Sequence, residues 1–213
     1  MTKVYPNAAP LPKPSDGCTK TGADDSSSRV LTVWRKSLLF NCDGFTVFDA
    51  DGNLVYRVDN YMSGNKGEIF LMDAAGTSLL TIRRKKLSLT DSWLVFDGET
   101  ADNPRFVVTK NVVNLLKSKR LLAHVTSPRK NTEVFEIEGS YSRRCCAVYG
   151  EKRRRVAEIK EKETSVKGVA FGADIFRLVV QPGFDATVAM AIVILLDQMF
   201  GSSTSPRRRL LTN

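Results

Sequence analysis

Histidine is almost missing from this chain: His124 is the only one in 213 residues. Histidine is the commonest metal ligand and the commonest general base, so its scarcity narrows the chemistry available. His124 lies between Ala123 and Val125 in a β-rich run. No motif there supplies a nucleophile or an orienting partner, and a structural or surface histidine is expected. The cysteines are as uninformative. Cys18, Cys42, Cys145 and Cys146 have no metal-ligand spacing. Cys145 and Cys146 are too close for an ordinary bridge, so free thiols in a reducing compartment are expected. Arg143-Arg144 just before them could lower a thiol pKa, but adjacent strand residues point to opposite faces, so at most one would be exposed.

Other signatures are absent too. The chain has no Walker motif, no dinucleotide fingerprint and no zinc spacing. Asp49-Ala50-Asp51-Gly52-Asn53 resembles the start of a calcium loop, yet Gly52 stands fourth where an EF-hand needs glycine sixth, and Asn60 occupies the place of its glutamate. A hairpin turn explains that stretch. No catalytic role, no cofactor, no metal and no small-molecule substrate are expected. An N-terminal apolar run is also lacking, and Thr2 replaces the glycine of a myristoylation motif. These absences suggest an intracellular protein.

What is present begins with one wholly apolar stretch, Ala186 to Phe200, between Asp185 and Gly201. Asp185 is a good N-cap, and Gly201 stands where a left-handed C-cap glycine would go. Thr187, Asp197 and Gln198 fall on one side, but Met190, Ala191 and Ile194 fill that side in between, leaving the helix body no polar face. At about 1.5 Å per residue the helix is roughly 22 Å long, short of the ~30 Å a membrane span requires. A buried core helix is expected.

Upstream, the pattern is strands and tight turns. Thr46-Val47-Phe48, the Asp49–Asn53 turn and Leu54 to Val58 form a hairpin in which Leu54, Tyr56 and Val58 share a face. Twenty-four positions on, Ile69 to Met72, Asp73-Ala74-Ala75-Gly76-Thr77 and Ser78 to Ile82 repeat the arrangement. Further strands are predicted at Val30–Trp34, Ser92–Phe96, Phe106–Thr109, Leu122–Thr126, Thr132–Ile137, Cys145–Tyr149, Val156–Lys160 and Phe176–Val180, with a weaker helical signal at Asn111–Arg120. About a dozen short strands and one apolar helix call for a closed sheet whose lumen the helix fills. The predicted fold is mainly β: a closed antiparallel barrel around a buried C-terminal helix, residues 186–200, in a domain spanning 29–201. Residues 1–28, rich in proline and serine, and residues 202–213, with Arg207-Arg208-Arg209, read as flexible tails.

Three groups of residues resemble the plant LURP-one-related family. Phe171-Gly172-Ala173-Asp174 leads through Ile175–Val180 and Gln181-Pro182-Gly183-Phe184-Asp185 into the apolar helix. Phe48-Asp49-Ala50-Asp51-Gly52 with Val55-Tyr56, and Val148-Tyr149-Gly150 before Arg153-Arg154-Arg155-Val156-Ala157-Glu158-Ile159, fit the same family. The resemblance covers roughly Val30 to Gly201. It implies likeness to the tubby C-terminal domain and to phospholipid scramblases, a barrel of about twelve strands around a C-terminal helix. It also implies a link to plant defence, and tubby-like relatives bind phosphoinositides and are proposed to be membrane-tethered regulators of transcription. No residue role carries over position by position.

Net charge is +9, and the basic residues gather at Arg83-Arg84-Lys85-Lys86, Lys117-Ser118-Lys119-Arg120, Arg143-Arg144, Arg153-Arg154-Arg155 and Arg207-Arg208-Arg209. Such clusters suit anionic phospholipid, phosphoinositide headgroups or nucleic acid, and equally serve as solvated turns. The candidate headgroup contacts are Arg83, Arg84, Lys85 and Lys86 first, then Arg153, Arg154 and Arg155. The expected role is a non-catalytic signalling or interaction module at the membrane periphery, with protein partners. DNA-associated transcription regulation in the nucleus and scramblase-like lipid transport are the alternatives.

Overall fold

The structure, a computed structural model, describes residues 27–38, 43–60, 67–99, 102–111, 121–128, 132–162 and 174–201. Both predicted tails other than residues 27 and 28, the helical signal beyond Asn111, the 117–120 and 207–209 basic clusters, Cys18 and Cys42 lie outside these residues.

Twelve strands close into one antiparallel barrel. In chain order they are β1 (Arg29–Trp34), β2 (Asp43–Phe48), β3 (Leu54–Asn60), β4 (Glu68–Asp73), β5 (Ser78–Arg84), β6 (Ser92–Asp97), β7 (Phe106–Lys110), β8 (Leu121–Ser127), β9 (Thr132–Ser140), β10 (Cys145–Tyr149), β11 (Arg155–Glu161) and β12 (Ile175–Val180). Each pairs with the next, and β1 pairs with β12 from Arg29↔Val180 to Trp34↔Ile175 to shut the ring. Closure leaves no free sheet edge. Alternation sets what faces inward: Phe176, Leu178 and Val180 are buried on β12, as are Leu31 and Val33 on β1.

The helix α1 (Ala186–Phe200) follows β12, and its residues from Val188 to Leu196 are all buried. With every side of the helix against the inner wall, an apolar surface all round is what the lumen requires. Its polar residues serve its ends. Asp185 caps the N-terminus, its carboxylate accepting from the Thr187 amide at 2.8 Å, while Arg105 reaches that carboxylate at 3.2 Å. The Tyr56 and Thr187 hydroxyls lie 3.3 Å apart. At the other end Lys110 donates to the Met199 carbonyl at 2.8 Å, placing a cation on the negative end of the helix dipole.

Gly201 departs from the expected left-handed cap. Its φ is −60°, and its amide donates to the Asp197 carbonyl. Glycine is needed there for room, since a Cβ would stand 2.4 Å from the Asp197 carbonyl oxygen. The two Asp-Gly turns do use glycine's left-handed freedom, with φ +85° at Gly52 and +93° at Gly76. In each turn the leading aspartate accepts from the amide four residues on, Asn53 or Thr77, at 2.8 Å.

An up-and-down barrel sends alternate connections to opposite ends. The helix enters at the end bearing the β2–β3, β4–β5, β6–β7, β8–β9 and β10–β11 connections. It finishes at the end bearing β1–β2, β3–β4, β5–β6, β7–β8, β9–β10 and β11–β12. These are the entry end and the exit end.

Changes along α1 test the fold. Ile194→Asp places a carboxylate in a site 1 % exposed, and loss of the cooperative unfolding transition is expected. Met190→Ala leaves a folded protein destabilised by about 2–5 kcal/mol in urea unfolding.

Candidate phosphate-binding groove and its surroundings

The two sequence-predicted clusters do not meet. Arg83 to Lys86 close β5 and open the β5–β6 connection at the exit end, whereas Arg153 and Arg154 lie in the β10–β11 connection and Arg155 opens β11 at the entry end. A flat surface touching one end of the barrel cannot engage both.

The first cluster lines a groove of about 1230 Å³ on the outer wall beside the exit end. Arg83 stands on its β5 side, held by Glu68 of β4 at 3.0 Å and stacked 5.3 Å from the centre of the Phe96 ring of β6. Arg84 pairs with Asp91 at 3.2 Å across the connection. Both guanidiniums are therefore oriented by carboxylates. Lys85 and Lys86 are exposed and make no ion pair among the described residues, so their charge is uncompensated at short range. Two fixed arginines beside two free ammonium groups suit an anion carrying several phosphate oxygens. The connection also carries Leu87 and Leu89, both fully exposed, which charge-based reading of the sequence passes over.

The second cluster is differently occupied. Arg153 pairs with Glu136 and forms a two-point contact with Glu138 at 2.9 and 3.0 Å, its guanidinium 4.4 Å from the centre of the Tyr149 ring. Those carboxylate hydrogen bonds raise its already high pKa. Arg155 pairs with Glu158 at 3.3 Å. Arg154 alone is exposed without an ion pair among the described residues. The Arg143-Arg144 pair also divides: Arg144 is buried between the rings of Tyr141 and Phe176, at 4.2 and 4.3 Å.

The remaining sequence candidates take structural places. His124 is half-buried on β8, opposite Glu136 of β9. Asp49 spends one carboxylate oxygen on the amides of Asp51 and Asn53 and the other on the Asn53 side chain. These bonds, the Asn53 amide foremost, hold its carboxyl below the usual range. Among the described residues no group of three His, Cys, Asp or Glu is placed to hold a metal. Cys145 is exposed and Cys146 buried, as strand alternation requires. Asp197 pairs with Arg35 at 3.0 Å and accepts from the Tyr141 hydroxyl at 3.2 Å, fixing the end of α1 to the β1–β2 connection and the β9–β10 turn. Burial and that carboxylate push the Tyr141 phenol up. No described helix is long and apolar enough to cross a membrane.

Fold and groove together define a helix-filled antiparallel barrel with a basic groove at the end where its helix stops. Comparison with known proteins makes the class specific. The sequence model of the LURP-one-related family matches residues 29–197, and the chain belongs to that family. It is 51% identical over 205 residues to protein LURP-one-related 8 of Arabidopsis thaliana, covering 95% of this chain and 100% of that protein. LURP-one-related 17 of the same plant is 48% identical over 185 residues, covering 80% and 83%. An X-ray structure of an Arabidopsis thaliana protein is similar in fold, with a TM-score of 0.61 and 25% identity, covering 81% of this chain and 91% of that one.

The thiols provide a pH-dependent check. Burial pushes the Cys146 thiol up to about 12, whereas an unfolded cysteine titrates near about 8.5. Its protonated form therefore contributes stability in full below about 8.5, and that contribution is lost as pH rises toward about 12. Iodoacetamide at pH 8 is expected to label Cys145 and spare Cys146 until the protein unfolds, read by peptide mass mapping.

Proposed function

We propose that this barrel acts by binding rather than catalysis, docking from the cytoplasmic side on anionic membrane that displays phosphoinositides. There it serves as a signalling or interaction module, in defence-type responses of the kind the family resemblance implies. The observation behind this reading is the exit-end groove, where Arg83 and Arg84 are aimed by Glu68 and Asp91 while Lys85 and Lys86 are uncompensated. Oriented guanidiniums favour the clustered phosphates of an inositol headgroup over a single diffuse charge. Free ammonium groups add attraction to any anionic leaflet. The Arg153 cluster contributes less, because Glu136 and Glu138 already neutralise its first residue.

Sedimentation with neutral, phosphatidylserine and phosphoinositide vesicles, the anionic sets matched in total charge, tests the reading at near-physiological salt. Preference for phosphoinositide is expected, and Lys85→Ala with Lys86→Ala should weaken binding by roughly thirtyfold, at about fivefold per basic residue. Equal binding to both anionic sets reduces the groove to general electrostatics, and no vesicle binding refutes docking. Steeply salt-dependent binding to duplex DNA in place of vesicles would turn the same cations toward nucleic acid.

A further inference from the structure

Exposed large hydrophobic side chains are not scattered evenly over this barrel. Among the described residues they are Val30, Trp34, Leu38, Leu87 and Leu89. Trp34 ends β1, Leu38 lies in the β1–β2 connection, and Leu87 and Leu89 lie in the β5–β6 connection, so four of the five occupy the exit end. Only Val30, near the start of β1, lies toward the entry end. The same rim carries Lys36, whose ammonium sits 5.2 Å from the Trp34 ring centre, and the exposed Lys85 and Lys86.

The β5–β6 connection is built to hold its leucines outward. The Ser88 and Thr90 hydroxyls lie 3.2 Å apart, Thr90 and Ser92 are 2.8 Å apart, and Ser92 reaches Thr109 of β7 at 3.2 Å. The Lys85 amide donates to the Ser92 carbonyl at 2.9 Å, and the Lys110 amide donates to Asp91 at the same distance. A chain of hydroxyls thus ties the polar side of the connection to the barrel. Leu87 and Leu89 alternate with those hydroxyl residues and are 106% and 108% exposed. Leu87 also has φ +58°, a backbone conformation unfavourable for a leucine that no packing compensates. An arrangement that anchors its polar side and presents its apolar side gains nothing in water. Flanked by cations, it suits the boundary between anionic headgroups and acyl chains.

We infer that the exit end is a membrane-inserting rim: Leu87 and Leu89 on one connection, and Trp34 with Leu38 on the other, enter the acyl boundary of an anionic leaflet while Lys36, Lys85 and Lys86 meet its phosphates. β1 and β5 are four strands apart around the ring, so the two points of contact set the barrel on end, with the helix terminus toward the lipid. Tryptophan at a lipid–water boundary keeps its ring in the apolar layer and its N–H in the polar one. The acidic turns led by Asp49 and Asp73 then face away from the leaflet. This inference rests on the docking reading above and adds the apolar contact and the orientation.

The full chain with phosphoinositide-containing vesicles separates the two ideas. Leu87→Ser with Leu89→Ser changes only fully exposed side chains, so folding should be intact. It is expected to weaken vesicle binding by about tenfold, as half-burial of two leucines implies, and to abolish the fraction that survives high salt. Leu87→Met with Leu89→Met should retain both, and Val30→Ser should change neither. With Trp93→Phe leaving Trp34 as the sole tryptophan, brominated acyl chains should quench its fluorescence and the emission should shift to the blue. Vesicle binding that is fully reversed by salt, insensitive to the leucine pair and without Trp34 quenching leaves docking intact and overturns insertion. Absence of wild-type binding to any vesicle overturns both.

Discussion

A twelve-stranded ring encloses more space than its own side chains fill, and the contact between its inner wall and α1 is what makes closure stable. Wall and helix depend on each other. Without the helix, Leu31, Leu71, Leu80, Ile137 and Phe176 would border an empty lumen. Without the wall, Met190, Ile194 and Leu195 would have no apolar surroundings. Burying each large side chain contributes about 1.5–3 kcal/mol, and neither partner gains it alone. The polar ties are confined to the two rims, Asp185 with Arg105 at entry and Asp197 with Arg35 and Tyr141 at exit. They set the depth of the helix while the apolar contact holds it.

Much of this was legible in the sequence because it depends on local period and composition. Alternation at Phe176, Leu178 and Val180 marks a strand with one buried face, and the Asp-Gly turns at Asp49 and Asp73 reveal their hairpins through chemistry confined to five residues. The helix is marked by having no polar side. What escaped sequence reading depends on distant partners. Nothing near Arg153 announces Glu136 and Glu138, which come from another strand, and nothing near Arg144 announces the ring of Phe176. Gly201 was recognised as necessary for the wrong reason, because its crowding by Asp197 is a matter of close approach, not of local dihedral preference.

The candidate groove was half legible. A run of four basic residues is visible in any sequence, and the structure adds that two are restrained by carboxylates while two are not. Leu87 and Leu89 carry no charge to mark them in the sequence, and the ring shows them fully exposed outside it. Which clusters share an end follows from strand parity alone. An even number of strands separates the β5–β6 connection from β1–β2, and an odd number separates it from β10–β11. Two basic clusters of similar composition therefore acquire different neighbours, and charge density along the chain is a poor guide to charge density on a surface.

The order of elements along the chain has a consequence during biosynthesis. The helix that fills the lumen follows all twelve strands, and β1 must await β12 before the ring can shut. Every strand thus leaves the ribosome before the surface against which it will pack exists. Any sheet formed before then has an unpaired edge on each side and a bare apolar face. Such intermediates aggregate readily, and pairings between residues far apart in sequence form slowly. Until translation has passed Phe200 the inner wall has no helix to pack against, so the lumen is filled by the last element the chain supplies.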